Sequence, residues 1–298
     1  MGGPWASQDP VAERTSRPQG PTALRIVLGT QLRRLREARG LTAAAAGHAI
    51  RASHAKISRM ELGRVSFKHR DVADLLTLYG VTDADERQAF LALLQRANVP
   101  GWWHQYSDLV PSWFETYLGL EQASSVIRTY QPHTVPELLQ SRDVARALIQ
   151  LNHPNASADD IDRRVTLRLT RQQVLIQPAA PNLWAVIDES ALWRSDRRSA
   201  MRAQIQHLIE MTKLPNITLQ VLPIRSSTYA AVEGPFTILR FSEPDLPDIV
   251  YLEHLTSALY LDKIQDVEHY LLAMDRLCIQ AQPPAQASTF LRNTLDKF

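Results

Sequence analysis

Leucines recur at helical spacing over residues 24–39. Leu28, Leu32 and Leu35 fall on one stripe, with Arg33, Arg34, Arg36 and Arg39 around them. Gly40 ends that helix. Thr42 caps a second, in which the alanine run 43–46 and Ala49 favour helix and Ile50 closes the apolar side. Ser53 caps a third. There Ile57 and Met60, three apart, share a face, and His54, Ala55, Ser58 and Arg59 lie on the others with Lys56 beside them. Gly63 is its natural stop. A fourth helix is predicted over 71–79, with Val72, Leu75, Leu76 and Tyr79 inward. Thr82 caps a fifth that carries Glu86, Phe90, Leu91 and Leu94. The run Asn98-Val99-Pro100-Gly101 breaks the pattern. Two short helices on a tight turn, the second offering small and basic side chains, follow the helix-turn-helix plan.

Beyond residue 101 the pattern changes. An aromatic cluster comes first: Trp102, Trp103, His104, Tyr106, Trp113, Phe114 and Tyr117. It reads either as a packed hinge or as a pocket wall, and Trp102, Trp103, Trp113, Phe114 and Tyr117 are the candidate ligand or partner pocket. Helices are predicted over 111–121, 136–151, 157–176, 196–213 and 266–281, and from the Pro283-Pro284 break to 298. In the second, Leu138, Leu139, Val144, Ala147, Leu148 and Leu151 face inward. Strands are predicted over 124–131, 183–188, 217–222, 236–241, 248–253 and 257–261, from their β-branched and aromatic content. The expectation is a five-helix all-α unit followed by an α+β unit with a small, largely antiparallel sheet. The divisions are a disordered tail over 1–21, a DNA-binding unit over 22–98 and a regulatory or dimerisation unit over 99–298.

Residues 24–81 resemble the lambda-repressor-like, Cro-type helix-turn-helix domain of the xenobiotic-response-element family. The residues carrying this are 32–36, Gly40-Leu41-Thr42, Ile50, Ser53, Lys56 to Glu61 and Gly63. The resemblance implies that the helix after Ser53 enters the major groove, with His54, Ala55, Arg59 and Ser58 at base edges. It places Thr42, Arg51, Ser53, Lys56, Arg64 and Lys68 at phosphates. The sequence departs from the family pattern in three places: Ala43 replaces a phosphate-holding Gln, Arg51 stands where the turn has Gly, and Ala46-Gly47 replace a typical Leu-Ala pair. Residues 102–298 resemble the uncharacterised domain fused behind such helix-turn-helix units in bacterial antitoxin-like regulators. The match rests on Trp113-Phe114, Glu121, 127–132, 135–140, 163–171, 188–192 and 259–261. That resemblance implies a small acidic partner protein.

Charge sharpens the division. Residues 22–81 hold 11 Lys+Arg against 4 Asp+Glu, a charge of +7, which leaves −5 for the rest of a chain whose total is +2. A basic module on an acidic remainder is the footprint of a DNA-binding unit with a separate regulatory part. Arg14 and Arg17 could form an arm on DNA, though a loose basic tail is the plainer reading. The single cysteine, Cys278, excludes an internal disulfide and fits a reducing, cytoplasmic setting. No apolar run spans a membrane, and no secretory core opens the chain.

Enzyme motifs are coincidental or missing. Ser53-x-x-Lys56 lacks the companion boxes of acylating enzymes. Asp188-Glu189 and Glu253-His254 are adjacent on strands and point to opposite faces. A carboxylate cluster at Asp188, Glu189 and Glu233 would be needed to raise the enzyme reading. No zinc, phosphate-loop or dinucleotide pattern occurs. The sequence predicts a sequence-specific DNA-binding regulator with no catalytic residues, cofactor or metal, acting on double-stranded DNA as a homodimer.

Overall fold

A computed structural model describes residues 20–63, 65–194, 198–224, 234–244 and 246–298. The expected tail, with Arg14 and Arg17, lies outside these residues up to position 19, as do Arg64, Asp196 and Glu233.

Five helices come first: α1 (Pro21–Ala38), α2 (Ala43–Ala49), α3 (His54–Glu61), α4 (His69–Leu78) and α5 (Ala84–Ala97). Their stripes meet in one core of Leu28, Leu32, Ile57, Met60, Val72, Leu75, Leu76, Tyr79 and Leu94. The expected caps form at Thr42 and Ser53, whose hydroxyls accept from Ala45 N (3.1 Å) and Lys56 N (3.2 Å). The fifth helix is capped by Asp83 instead of Thr82. Its carboxylate accepts from Glu86 N at 2.8 Å and also suits the positive end of the helix dipole.

A 3₁₀ turn (Trp102–Tyr106) leads to α6 (Ser112–Ala123). Then follow β1 (Val126–Gln131), α7 (Arg142–Asn152), α8 (Ala158–Gln172), β2 (Asn182–Asp188), α9 (Arg198–Met211) and β3 (Ile217–Leu222). After these come β4 (Phe236–Arg240), β5 (Ile249–Glu253), β6 (Ala258–Leu261), α10 (Ile264–Gln280) and α11 (Pro284–Leu295).

The sheet order is β3-β2-β1-β4-β5-β6. The expected largely antiparallel sheet is instead mixed: β1–β2 and β2–β3 run parallel, and β1–β4, β4–β5 and β5–β6 antiparallel. The helices between β1, β2 and β3 are the reason, since a crossover long enough to hold a helix returns the chain parallel. Alternate strand residues face opposite sides. Ile127, Ala185, Leu219, Leu239 and Tyr251 pack under α6, α9 and α11, while Tyr130, Val186, Ile238 and Val250 pack on α10.

The helix expected over 136–151 is broken. A 3₁₀ turn (Glu137–Leu139) ends at Gln140, and Ser141 caps α7. Buried Gln140 donates to Val135 O at 2.7 Å, and the Ser141 N–H donates to Gln204 Oε1 at 2.7 Å. These tertiary partners fix the break. Leu138, Leu139 and Val144 are buried as expected, whereas Leu151 is 74% exposed.

Helix α1 belongs to both units. Its far half carries Leu28 and Leu32 into the N-terminal core, and its start carries Ala23 and Val27 into a cluster with Leu246. Gly119 of α6 must be glycine for this contact, because a Cβ there would lie 2.0 Å from Thr22 Oγ1.

Candidate nucleic-acid interface

The third helix holds a buried side and an open side. Ile57, Met60 and Glu61 are buried, while His54, Ala55 and Arg59 are exposed and Ser58 is half-buried. The four residues expected at base edges thus share the part of α3 away from the core. Arg59 Nε donates to Ala55 O at 3.2 Å, which lays the guanidinium stem along the helix.

Helix α1 fixes how α3 sits. Gly29 lets them touch, since a Cβ there would lie 2.5 Å from Met60 O. Arg36 then clamps Glu61: its Nε donates to Oε1 at 2.6 Å and its Nη2 to Oε2 at 2.9 Å. Arg36 Nη1 also donates to Leu41 O at 2.6 Å, tying in the start of the turn. The hydrogen bond to Glu61 raises the Arg36 pKa. Nearby, burial and then the Glu61 charge push the Tyr79 hydroxyl up to about 12. The Arg36–Glu61 pair, which sets how α3 sits on α1, is a feature that spacing alone misses, because its partners are 25 residues apart.

The expected phosphate residues divide by environment. Thr42, Arg51, Ser53 and Lys68 are exposed around α3, and Arg64 lies outside the described residues. Arg51 takes φ +58°, the left-handed conformation that Gly would adopt freely, so the turn keeps its form at some strain. Lys68 follows a loop held by Asn98, which donates to Phe67 O at 2.7 Å and accepts from Phe67 N at 3.2 Å. Lys56 is half-buried and forms an ion pair with Asp71 of α4. Arg39, though exposed, is tied to the end of α4, its Nε donating to Tyr79 O at 2.6 Å. Arg33 pairs with Glu37 at 2.8 Å.

The five aromatic residues proposed as one pocket do not line one cavity. Trp103 is buried with Val110, Leu118 and Leu167. Trp102 edges a small hollow and Trp113 a groove beside α1. Phe114 and Tyr117 flank the Arg171 guanidinium at 5.3 and 5.1 Å. Arg171 is buried and bidentate on Glu121, with bonds of 2.6 and 2.7 Å, and also pairs with Glu137. Burial works against its charge, but Glu121 and Glu137 more than offset that and raise its pKa. For Glu137, burial alone would push the carboxyl up, and Arg168 and Arg171 outweigh it and hold it below the usual range. Phe114 and Tyr117 thus house a buried ion network, while the three tryptophans pack elsewhere.

Asp188 caps Ser190 N at 2.8 Å, and Glu189 accepts from Ile224 N at 3.1 Å. Glu253 and His254, expected to diverge, line one cavity because β5 ends at Glu253 and its alternation stops there. Among the described residues, no group of three or more His, Cys, Asp or Glu is set to hold a metal ion, and no helix is long and apolar enough to cross a membrane.

Two family models match the chain. One, described as a helix-turn-helix domain, covers residues 27–90, and the other, a domain of unknown function (DUF5753), covers residues 114–293. No curated protein and no solved structure matches it. The first match supports a DNA-binding regulator, in agreement with the capped, outward-facing α3. The second spans more than half of the sequence, and the chain belongs to the family defined by that domain (DUF5753).

Proposed function

We propose that the chain is a sequence-specific transcriptional regulator without catalytic activity, whose C-terminal unit senses a ligand or protein partner in the cytoplasm. The observation that carries it is the exposed His54, Ala55 and Arg59 set on a helix whose other side is locked by Arg36 and Glu61. Arg59 pairs with guanine O6 and N7, Ala55 meets a thymine methyl, and His54 and Ser58 bond base edges. Thr42, Arg51, Ser53, Arg64 and Lys68 grip phosphates and give the binding its salt dependence. Lys56 joins them only by leaving Asp71. One short helix reads few bases, so two copies act on half-sites about one helical turn apart.

Titration against the chain's own upstream DNA at two salt concentrations tests this. Binding should weaken steeply with salt. Arg59→Ala should lose about 1–3 kcal/mol of sequence discrimination, with an unchanged melting midpoint. Wild type and variant binding all DNA alike would overturn direct readout.

A second reading is an antitoxin-like module that holds a small acidic partner and binds DNA mainly for autoregulation. It is favoured by the open sheet edge at β6, where Leu259 is exposed. Co-purification of one small acidic protein, lost on a proline substitution in β6, would select it.

A further inference from the structure

Two hollows open side by side where β1 ends. The larger, about 560 Å³, lies over the cross-strand row Thr129, Thr237 and Tyr251, with Glu253 two residues further along the same face of β5. Tyr117, Glu137, Arg168 and Arg171 form its helical wall. The smaller, about 370 Å³, is walled mainly by Val135, Val144, Ala147, Ala191 and Met201. Leu148 and Leu151 border both.

Their place in the sheet is a binding place. The order reverses at β1, with β2 and β3 on one side and β4 to β6 on the other. Crevices at strand carboxyl ends beside such a reversal are where open α/β sheets take small molecules.

The charges select the ligand. Arg171 is matched by Glu121 and Glu137, and Arg168 pairs with Glu137. Those two cations and two anions cancel. Glu253 remains: among the described residues it forms no ion pair, although the Arg171 and Arg168 charges reach it across the hollow, and its Oε2 accepts from the Tyr251 hydroxyl at 3.0 Å; Arg194 borders the smaller hollow. Burial and the Glu137 charge outweigh the Tyr251 hydrogen bond and the two arginines and hold its carboxyl above the usual range. The Tyr117 and Tyr251 rings, 4.1 Å apart, pack on one another in the wall of the hollow, each only 4% exposed. At the rim, Leu151 and Leu255 are 74% and 99% exposed, apolar surface that a ligand body would cover.

We propose that the paired hollows are an effector site for an amphiphilic organic monocation, its ammonium or guanidinium head at Glu253 and its apolar body across Leu148 and Leu151. Occupancy of the site is independent of the DNA-binding reading; its consequence rests on that reading. Tyr117 of the wall sits two residues from Gly119, which touches Thr22 of α1, and α1 holds α3 through Arg36 and Glu61. A ligand that shifts α6 thereby shifts the helix facing DNA.

Calorimetric titration of the full chain with hexylammonium and benzyltrimethylammonium tests the site, against hexanol, benzyl alcohol and hexanoate. The cations should bind at least about tenfold more tightly than the alcohols. Glu253→Gln, which keeps the side chain's shape, should bring them down to the alcohol level, while Leu151→Ser weakens cations and alcohols together. Equal binding of cations and alcohols, full cation affinity in Glu253→Gln, or no heat from either cation would overturn it. DNA affinity is measured separately with the cation present. A cation that binds through Glu253 and leaves DNA affinity unchanged keeps the site and removes its regulatory use.

Discussion

In the N-terminal unit Arg36 meets Glu61 across one helix crossing, and the pair fixes one angle, that of α3 against α1. In the C-terminal unit Arg171 meets Glu121 in the same bidentate way, but Glu137, Arg168 and Gln140 are drawn in, with two aromatic rings around the guanidinium. The side chains are 10% and 8% exposed in the first pair and 7% and 2% in the second. Among the described residues, the only other charge on Arg36 is Glu37 at 3.5 Å, which is half-exposed, so losing one member of this pair strands less buried charge. A buried network strands several charges when one member goes. The N-terminal unit thus holds a clamp on the third helix, and the C-terminal unit a polar core whose state depends on every member.

The largest test of this contrast is Arg171→Met. It leaves Glu121 buried and unpaired and should cost about 3–5 kcal/mol in urea unfolding. Adding Glu121→Leu should recover most of that if stranded charge is the cost; a double variant as weak as the single would put the cost in the packing of Phe114 and Tyr117. Glu61→Gln should cost less, about 2–3 kcal/mol, because Arg36 keeps the Leu41 carbonyl and the amide keeps the shape. Its mark is a fall in DNA affinity together with the melting midpoint, whereas an unchanged affinity would show that α3 does not need the clamp.

Smaller effects separate the units further. Arg51→Gly relieves a left-handed φ and should stabilise the chain by about 0.5–1 kcal/mol, while weakening DNA binding if Arg51 reaches a phosphate. A lower melting midpoint would show that the Arg51 side chain is needed where it stands. In the C-terminal unit, His207 on α9 is partly buried, its Nε2 has no partner among the described residues, and burial lowers its pKa. The neutral form is favoured on folding, so this stability is present above about pH 6.5 and is lost as pH falls through the lowered value. His207→Gln should flatten that acid-side loss in a pH series of melting midpoints; an unaltered slope would assign it to other groups.

Local features were legible and distant ones were not. Thr42 and Ser53 cap as expected, Gly63 ends α3 at φ +63°, and β3 occupies the expected residues 217–222. The mixed sheet was legible in part, because the strand–helix–strand alternation over 124–222 signals parallel pairing. The hairpin signals over 236–261 describe only the other half of the sheet. Lys56 read as a basic side chain bound for phosphate, yet Asp71, fifteen positions on, holds it. The tryptophans read as one cluster because they are neighbours in sequence, while the fold sends Trp103 and Trp113 to different hollows and cores.

The sequence by itself determined the helix-turn-helix, its caps and the exposed face of its third helix, because stripes, caps and turns depend on residues within about four positions of each other. It also determined which strands exist, since alternation is a property of the strand alone. Only the tertiary structure decided which arginine meets which glutamate, where the helix over 136–151 breaks, and that β1 has parallel neighbours on one side and antiparallel ones on the other. It also decided that the Tyr251 hydroxyl donates to Glu253 beside the buried arginine network. These outcomes depend on burial and on partners many residues away, where the cost of an unpaired charge is set by everything that packs around it.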